Sequence, residues 1–194
     1  MTNEPTWHDV NDRYGAQLAP PDLRITQTLA NSSARTPEDY DPLHDLATAQ
    51  PWLDALTREW TTVHGGPEPR IKLSRSGLED LRRLRTTVRA ILLRDDEADP
   101  VSLRVPVDAA IAGARAELVP TGTDGHWLES AVGAELVLAH RDDTLRRLKL
   151  CREPLCRTAF YDLSKNNSKV WHNLDTCGTP QRMREYRQRL RNAD

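Results

Sequence analysis

Residues 151–180 read CREPLCRTAFYDLSKNNSKVWHNLDTCGTP, and they hold every cysteine of the 194-residue chain. The three cysteines and one histidine of this stretch follow the spacing C-x4-C-x15-H-x4-C. A tetrahedral zinc site needs two pairs of thiolate or imidazole ligands, each on its own turn and separated by enough chain to fold back. The spacing therefore predicts one zinc ion per chain, held by Cys151, Cys156, His172 and Cys177.

The predicted zinc site is structural. Four protein ligands leave no coordination position for water or substrate. The sequence contains no glycine-rich phosphate loop, nucleophile elbow or H-E-x-x-H motif, so we expect a protein that is not an enzyme. Two alternatives for the cluster are a [2Fe–2S] centre and a set of ordinary buried cysteines beside a core histidine.

The four ligands define a small C-terminal module. The fifteen residues between the second and third ligands hold a strand-like TAFYD and the polar LSKNNSK, which together predict a short hairpin. A module of about 45 residues is too small to be stable on apolar burial alone. We therefore expect zinc binding and folding of this module to be coupled.

Charge is divided unevenly along the chain. Residues 144–194 contain twelve Lys or Arg against five Asp or Glu, a balance of +7, which leaves 15 basic and 24 acidic residues, a balance of −9, in the first 143. A basic module on an acidic body is typical of a protein with an anionic partner. The alternative is a basic face that only keeps the module hydrated.

Composition predicts a soluble, helix-rich chain. Apolar residues make up 38% and charged residues 29% of the sequence. No apolar run reaches the roughly 18 to 20 residues of a membrane span, and the opening MTNEPTWHDVNDRYG is unlike a signal peptide. Cysteines clustered in this way are typical of a metal site in a reducing compartment. We expect a cytoplasmic protein that does not contact a membrane.

The predicted fold class is α+β, in three parts. Residues 1–22 are expected to form a polar N-terminal tail. Residues 23–148 should form a mainly helical domain with a short β-hairpin. Residues 149–194 should form a small zinc-stabilised module that ends in a basic helix.

Apolar spacing predicts the helices of the larger domain. One helix is expected over residues 23–34, and a second after Pro51, ending before HGGPEP. A third follows Ser76 and Glu79, which have capping-box spacing. On the side away from its apolar stripe we expect a solvated face with Arg82, Arg83 and Arg89.

The rest of this domain leads the chain to the cysteines. Pro106 favours the first turn of a helix that runs to residue 116. The stretch AELVPTGTDGHWLES, residues 116–130, predicts a hairpin around its Gly/Thr/Asp turn, and residues 130–148 predict a further helix.

The chain ends in a predicted basic helix. Thr179 is suited to an N-cap and Pro180 to the first helical position. Met183, Tyr186 and Leu190 share one face, which we expect to pack on the zinc core, while arginines project along both flanks.

These cations predict contacts with phosphate groups. Guanidinium forks match phosphate oxygens, and lysines in the LSKNNSK loop extend the same charge. Double-stranded DNA, RNA and an acidic protein surface are the candidate partners for these cations. The candidate residues are Lys165, Lys169, Arg182, Arg184, Arg187 and Arg189.

Beyond the ligand spacing, the residues around the ligands resemble the CGNR zinc-finger proteins. That family runs from a cysteine pair through Phe-x-Asp, a Ser-Arg-Asn-like loop and an aromatic residue to a second ligand pair and a basic helix. The matching positions are Cys151, Cys156, Phe160, Asp162, Ser164, Asn166, Ser168, Trp171, His172, Cys177, Gly178 and Tyr186. Two departures from the family pattern involve three positions. His172 stands where cysteine is usual, and Thr179 and Pro180 replace the Asn-Arg pair that gives the family its name.

Residues 23 to about 148 resemble the ABATE-type domain that precedes this finger. The similarity lies in LANSSAR, LHDLATAQPWLDAL and LEDLRRLRTTVRAIL. Together with the charge division, the family resemblance implies a transcriptional regulator that prefers double-stranded DNA as its partner. Its N-terminal domain would sense a small molecule or a partner, and a homodimer is a further expectation. Asn31 and Arg35 are candidates for the effector pocket, and a helix cap and a surface charge are the alternatives for them.

Overall fold

The chain is mainly helical, with two short antiparallel strand pairs, as the predicted α+β class requires. A computed structural model describes residues 10–11, 15–33, 40–93, 102–112 and 115–191. The helices are α1 Arg24–Asn31, α2 Leu46–His64, α3 Arg75–Leu93, α4 Gly125–Arg141 and α5 Thr179–Arg191. The strands are β1 Val107–Ala112, β2 Arg115–Pro120, β3 Leu148–Leu150 and β4 Ala159–Tyr161. Short 3-10 turns at Pro21–Leu23 and Leu145–Arg147 and a π turn at Leu174–Gly178 complete the regular elements of these ranges.

Helix α2 begins before Pro51, earlier than the sequence predicts. The Asp45 carboxylate accepts a hydrogen bond from the Thr48 amide at 2.9 Å, and the Thr48 hydroxyl accepts one from the Asp45 amide at 3.3 Å. This reciprocal cap satisfies amides that a helix otherwise leaves unpaired at its start. Pro51 is accommodated inside the helix, and the predicted apolar face is buried.

Helix α3 is capped by Ser74, so the prediction of a cap at Ser76 is wrong. The Ser74 hydroxyl accepts a hydrogen bond from the Gly77 amide at 3.0 Å, and the Ser74 carbonyl accepts one from Leu78 at 3.0 Å. The Asp124 carboxylate in turn accepts hydrogen bonds from both the amide and the hydroxyl of Ser74. This partner lies 50 residues away along the chain, which is why local spacing misplaces the cap.

The predicted helix over residues 106–116 is wrong, because this segment pairs with β2. Strand β1 runs antiparallel to β2, with Val107 opposite Pro120 and Ile111 opposite Ala116. Val107 and Leu118 contact the hydrophobic core from this sheet. The hairpin therefore lies earlier than predicted, and the Gly122 turn instead leads directly into α4.

The core forms where α1, α2, α3 and α4 meet. Helices α3 and α4 approach so closely that a Cβ on Gly125 would lie 2.6 Å from the Gly77 carbonyl oxygen. Along α3, Arg82 donates to the Leu43 carbonyl at 2.8 Å and Arg89 to the Ala30 carbonyl at 2.6 Å. These two arginines therefore tie α3 to its neighbours, which corrects the expectation that they belong to a solvated face.

The C-terminal strand pair completes this same core. Leu148, Ala159 and Tyr161 are buried in the hydrophobic cluster formed by the helices. Strand β3 begins at Leu148, so one strand crosses the predicted boundary between residues 148 and 149. The cysteine-bearing hairpin and the helical body thus share apolar side chains, although the division into domains stays a prediction.

Buried amides of α1 hold the outer edge of β4. Asn31 accepts a hydrogen bond from the Ala159 amide at 2.7 Å and donates to the Ala159 carbonyl at 2.9 Å. Gln27, one turn earlier, donates to the same carbonyl at 3.2 Å and to the Gln17 carbonyl at 2.9 Å. The Tyr161 amide also donates to the Gln17 carbonyl, at 2.9 Å. An unpaired strand edge inside a protein would be costly, and these contacts satisfy it.

A buried carboxylate caps the start of α1. Glu135 of α4 is 1% exposed and accepts hydrogen bonds from the amides of Ile25 at 3.2 Å and Thr26 at 2.7 Å, and from the Thr26 hydroxyl at 2.6 Å. Burial raises the pKa of Glu135 to about 7, although the hydrogen bonds from Thr26 and Ile25 act in the opposite direction. The side chain therefore joins α4 to the helix that holds β4.

Across the part of the chain that the structure describes, no helix combines the length and the apolar composition that a membrane crossing needs.

Replacing Asn31 by alanine should lower the stability of the whole chain. Asn31→Ala leaves the buried Ala159 amide without its acceptor, while the Ala159 carbonyl keeps Gln27 as a donor, so the substitution should cost about 2 kcal/mol. Denaturant unfolding followed by far-ultraviolet circular dichroism measures the loss. Asn166→Ala is the control and should change stability little, because Asn166 is exposed on the LSKNNSK loop, residues 163–169, called the finger loop below. Equal stabilities of the two variants would contradict the role of Asn31 at β4.

The raised pKa of Glu135 predicts a pH-dependent stability. The folded protein holds this proton more tightly than the unfolded chain does, so the free energy of unfolding should fall as pH rises from the usual carboxyl pKa to about 7. The fall should be about 3 kcal/mol at most. Urea titrations between pH 5.5 and 8 should show this component in the parent and in the exposed-site control Glu79→Gln, and not in Glu135→Gln. Parallel pH curves for all three proteins would refute it.

Candidate metal centre and basic helix

The first ligand pair lies in the connection between β3 and β4. Cys151 follows β3 directly, and its amide donates to the Thr158 carbonyl at 2.8 Å, which closes the connection at its base. Within the loop, the Glu153 carbonyl accepts hydrogen bonds from the amides of Cys156 at 2.9 Å and Arg157 at 3.1 Å. The hairpin predicted between the two ligand pairs is instead formed by β3 and β4. Both cysteines thus lie on one tight turn.

The second ligand pair lies at the start of the C-terminal helical segment. His172 precedes Asn173, whose side chain accepts hydrogen bonds from the amides of Asp175 at 2.9 Å and Thr176 at 3.1 Å. This cap begins the π turn that carries Cys177 inward, and the Cys177 amide donates to the Asn173 carbonyl at 3.2 Å. Asn173 therefore fixes the spacing between the two ligands.

The four predicted ligands meet in one buried cluster. Their ligand atoms all lie within 4.8 Å of one another, and all four residues are buried. His172 presents Nδ1 to the sulfurs, at 3.3 Å from Cys156 Sγ and 3.5 Å from Cys177 Sγ. Tetrahedral zinc, with bonds of about 2.3 Å to sulfur and 2.0 Å to nitrogen, places such atoms about 3.5 Å apart. The cluster fits one structural zinc ion held by Cys151, Cys156, His172 and Cys177, as predicted.

The charges of the cluster also favour a cation. A hydrogen bond from Cys151 lowers the pKa of Cys156, whereas that hydrogen bond and burial raise the pKa of Cys151. Burial likewise raises the pKa of Cys177. The Thr158 hydroxyl lies 3.1 Å from Cys156 Sγ and can support a thiolate there. Buried thiols held this close together can all ionise only when a metal ion compensates their charge, so zinc binding should release protons.

A buried ion pair shapes the loop between the ligand pairs. The Asp162 carboxylate, which is fully buried, accepts hydrogen bonds from Lys149 Nζ, the Ser164 amide and the Lys169 amide, each at 2.8 Å. Burial alone would raise the pKa of Asp162, but the hydrogen bonds from Lys149, Ser164 and Lys169 outweigh it and hold that pKa well below its usual range. The carboxylate therefore stays ionised and fixes the loop that carries Lys165 and Asn166.

The glycine of the second ligand pair has a steric role. A Cβ on Gly178 would lie 2.6 Å from Leu174 Cδ1 and 2.9 Å from Trp171 Cδ1. Trp171 packs against the three cysteines. Only glycine allows the π turn to lie this close to the indole ring.

Helix α5 differs from the prediction at its start and on its apolar face. Thr179 has helical dihedral angles and continues the π turn, so it is not an N-cap, because Asn173 already caps the segment. No residue of α5 is buried. The stripe expected to pack on the zinc core is exposed to between 46% and 51% at Met183, Tyr186 and Leu190. The helix leaves the cluster before this face can reach it.

The candidate phosphate ligands have different surroundings. Lys165, Arg182, Arg187 and Arg189 are exposed and form no ion pair with any residue that the structure describes. Lys169 is exposed, with Nζ 5.6 Å from the centroid of the Phe160 ring. Arg184 forms an ion pair with Glu153, which ties α5 to the first ligand turn. No local pattern pointed to Glu153, because its partner lies 31 residues away along the chain.

The two candidate effector residues lie in different situations. Asn31 is 1% exposed and bonded to Ala159 and Asn11, so it joins α1 to β4. Arg35 lies outside the described residues. An effector role for either residue stays a prediction.

Residues 147–190 match the family model described as CGNR zinc finger. The match spans the β3–β4 hairpin, both ligand pairs and most of α5, so the C-terminal module is a CGNR zinc finger. No curated protein matched the chain.

Loss of one ligand should remove the metal and destabilise the chain. Cys156→Ser takes away a central sulfur, and the protein should then contain far less than one zinc per chain by elemental analysis. Its unfolding midpoint should fall, because the ligand turn connects two strands of the shared core. His140→Gln, at an exposed histidine outside the cluster, should keep one zinc per chain. A parent protein purified without chelator that lacks stoichiometric zinc would contradict the assignment.

Proposed function

We propose that the CGNR zinc finger and its basic helix bind double-stranded DNA, and that the protein acts as a transcriptional regulator. Zinc has a structural role in this proposal, because four protein ligands surround it. The helical body senses a small molecule or a partner. The proposal assigns the protein no catalytic reaction.

The observation that carries the proposal is the exposed basic helix. Helix α5 has no buried residue, and its arginines Arg182, Arg187 and Arg189 form no ion pair with described residues. Unpaired guanidinium groups are suited to bidentate contacts with phosphate oxygens. The zinc cluster and the Asn173 cap fix the direction in which the helix leaves the protein. An anionic polymer would therefore meet cations on both flanks of a helix whose direction is fixed.

The finger loop supplies further cations to the proposed contact. Lys165 and Lys169 are exposed on the loop that Asp162 holds in place. Phosphate contacts of this kind provide affinity and orientation, whereas sequence preference needs side chains that reach base edges. Arg184 can join these contacts only by leaving Glu153, so its substitution should affect the stability of the finger as well.

The apolar stripe of α5 favours a second candidate function. Met183, Tyr186 and Leu190 are about half exposed on one face of the helix. A protein partner with an acidic rim and an apolar centre would use both the stripe and the arginines. RNA is a further alternative, because the exposed Tyr186 ring could stack on an unpaired base.

Single substitutions on α5 distinguish these functions by their salt dependence. Each phosphate contact adds close to 0.9 to the slope of log affinity against log salt. Arg187→Ala should therefore weaken binding to all duplex sequences and lower the slope by about one unit, as measured by fluorescence anisotropy at several salt concentrations. Arg83→Ala, which removes an exposed arginine of the body, is the control and should leave the slope unchanged.

Substitutions in the apolar stripe of α5 test the alternative function, binding of a protein partner. Tyr186→Ser and Leu190→Ser should leave duplex affinity nearly unchanged if phosphates are the target. Loss of a specific protein partner in a pull-down with these variants, together with duplex binding no stronger than that of an unrelated basic peptide, would replace the DNA proposal with the protein-interaction function.

A further inference from the structure

A cleft of about 580 Å³ opens in the helical body, away from the zinc cluster. It lies between the C-terminal end of α2, the loop that follows, β2 and α4. Its volume falls within the range of small-molecule sites, roughly 300 to 1,000 Å³. The residues that decide its chemistry are Trp60, His64, Glu68, Glu117, Trp127 and Arg141.

Aromatic rings form the inner wall of this cleft. The Trp60 ring stacks on His64, with centroids 3.9 Å apart and planes inclined by 25°. The Trp127 ring meets Trp60 edge-on, with centroids 6.2 Å apart. Both tryptophans are at least nine-tenths buried, so packing holds their rings in place. The exposed imidazole of His64, with Trp60 stacked behind it, is therefore the aromatic face that a flat ligand can reach.

Negative charge predominates around the rings. Glu68 and Glu117 line the cleft, and neither forms an ion pair with a described residue. The single arginine of the lining, Arg141, is bound to Asp142 at 2.8 Å. Burial lowers the pKa of His64, against the opposing effects of Asp22 and Glu117, so the imidazole is neutral at neutral pH. The cleft therefore offers carboxylates and aromatic rings but little available positive charge.

The mouth of the cleft has a backbone that few other sequences could adopt. Gly65 and Gly66 have φ values of 80° and 86°, a region that favours glycine, and Pro67 and Pro69 follow them. Two prolines restrict the loop further. The loop thus holds Glu68 at the edge of the cleft with little conformational freedom.

We propose that this cleft binds a flat aromatic molecule that carries a positive charge, such as an aromatic amine. The ring would lie against His64, which Trp60 holds in place, and the cation would face Glu68 and Glu117. Aromatic faces attract cations through their quadrupole, and partial desolvation strengthens this attraction. The inference rests on the proposed function in one respect: only the proposed regulatory role makes this ligand an effector. Binding of the ligand to the cleft does not depend on the zinc finger.

Helix α4 offers a physical connection from this cleft to the finger. Trp127 and Arg141 line the cleft, while Glu135 of the same helix caps α1. Helix α1 in turn holds β4 through Asn31. A ligand that favours one position of α4 would thus act on the strand beside the zinc ligands, and the effects of ligand and DNA on each other would be reciprocal.

Three indole probes that share one ring system and differ in charge test the ligand class. Isothermal titration of the full-length zinc protein should show that tryptamine, a cation, binds roughly ten-fold more tightly than uncharged 3-methylindole. Indole-3-acetate, an anion, should bind more weakly than both. Equal affinities for the three probes, or no tryptamine binding at millimolar concentration, would overturn the proposal.

A charge-reversing substitution in the cleft lining provides a second test of the ligand class. Glu117→Lys should weaken tryptamine binding at least ten-fold and strengthen binding of indole-3-acetate. Glu185→Lys, at an exposed position on α5 outside the cleft lining, should leave both affinities unchanged. Unchanged melting temperatures show that both variants fold. Equal effects of the two substitutions would also overturn the proposal.

The test of ligand binding and the test of DNA binding are independent of each other. Probe binding is measured without nucleic acid, and the salt dependence of duplex binding is measured without probe. If tryptamine binds the cleft but does not alter duplex affinity, the ligand class stands and the regulatory role of the body is refuted.

Discussion

The structure depends on how the backbone of β4 is satisfied on both of its edges. One edge pairs with β3, which leads into the first zinc ligand, and the other is held by Gln17 and by the buried amides of α1. Ala159 therefore stands between the metal cluster and the helical body. Asn31 bonds to both the amide and the carbonyl of this residue, so a shift of α1 would leave two buried polar groups unpaired. These contacts link the finger to the body through β4.

Local sequence patterns predicted much of this structure, and long-range contacts account for what they missed. The spacing of four ligands identified the zinc cluster, because ligand number and turn length are local properties. The buried face of α2 followed from helical periodicity. The segment after Pro106 forms β1 because it pairs with β2. Ser74 becomes a cap with Asp124 as its partner, and Asn31 reaches Ala159 across 128 residues. No local window contains either pair.

The exposed stripe of α5 shows a different limit of sequence reasoning. Periodicity identifies an apolar face but not the surface that covers it. Here Asn173 and the π turn set the direction of the helix, and Glu153 holds Arg184 at its base. The result is a closed metal site that supports an open, basic helix, while the ligand cleft lies in the acidic body. The metal cluster, the basic helix and the cleft thus lie on separate surfaces, and α4, α1 and β4 connect them.

The most direct test of whether β4 couples the finger to the body is denaturant unfolding of the zinc protein, followed simultaneously by two signals. Far-ultraviolet circular dichroism reports mainly the helices of the body, and a chromophoric zinc chelator in solution reports release of the metal. If β4 joins finger and body into one cooperative unit, the two transitions should coincide at the same denaturant concentration and shift together in Asn31→Ala. Release of zinc in a separate, earlier transition, with the helical signal intact, would contradict the account.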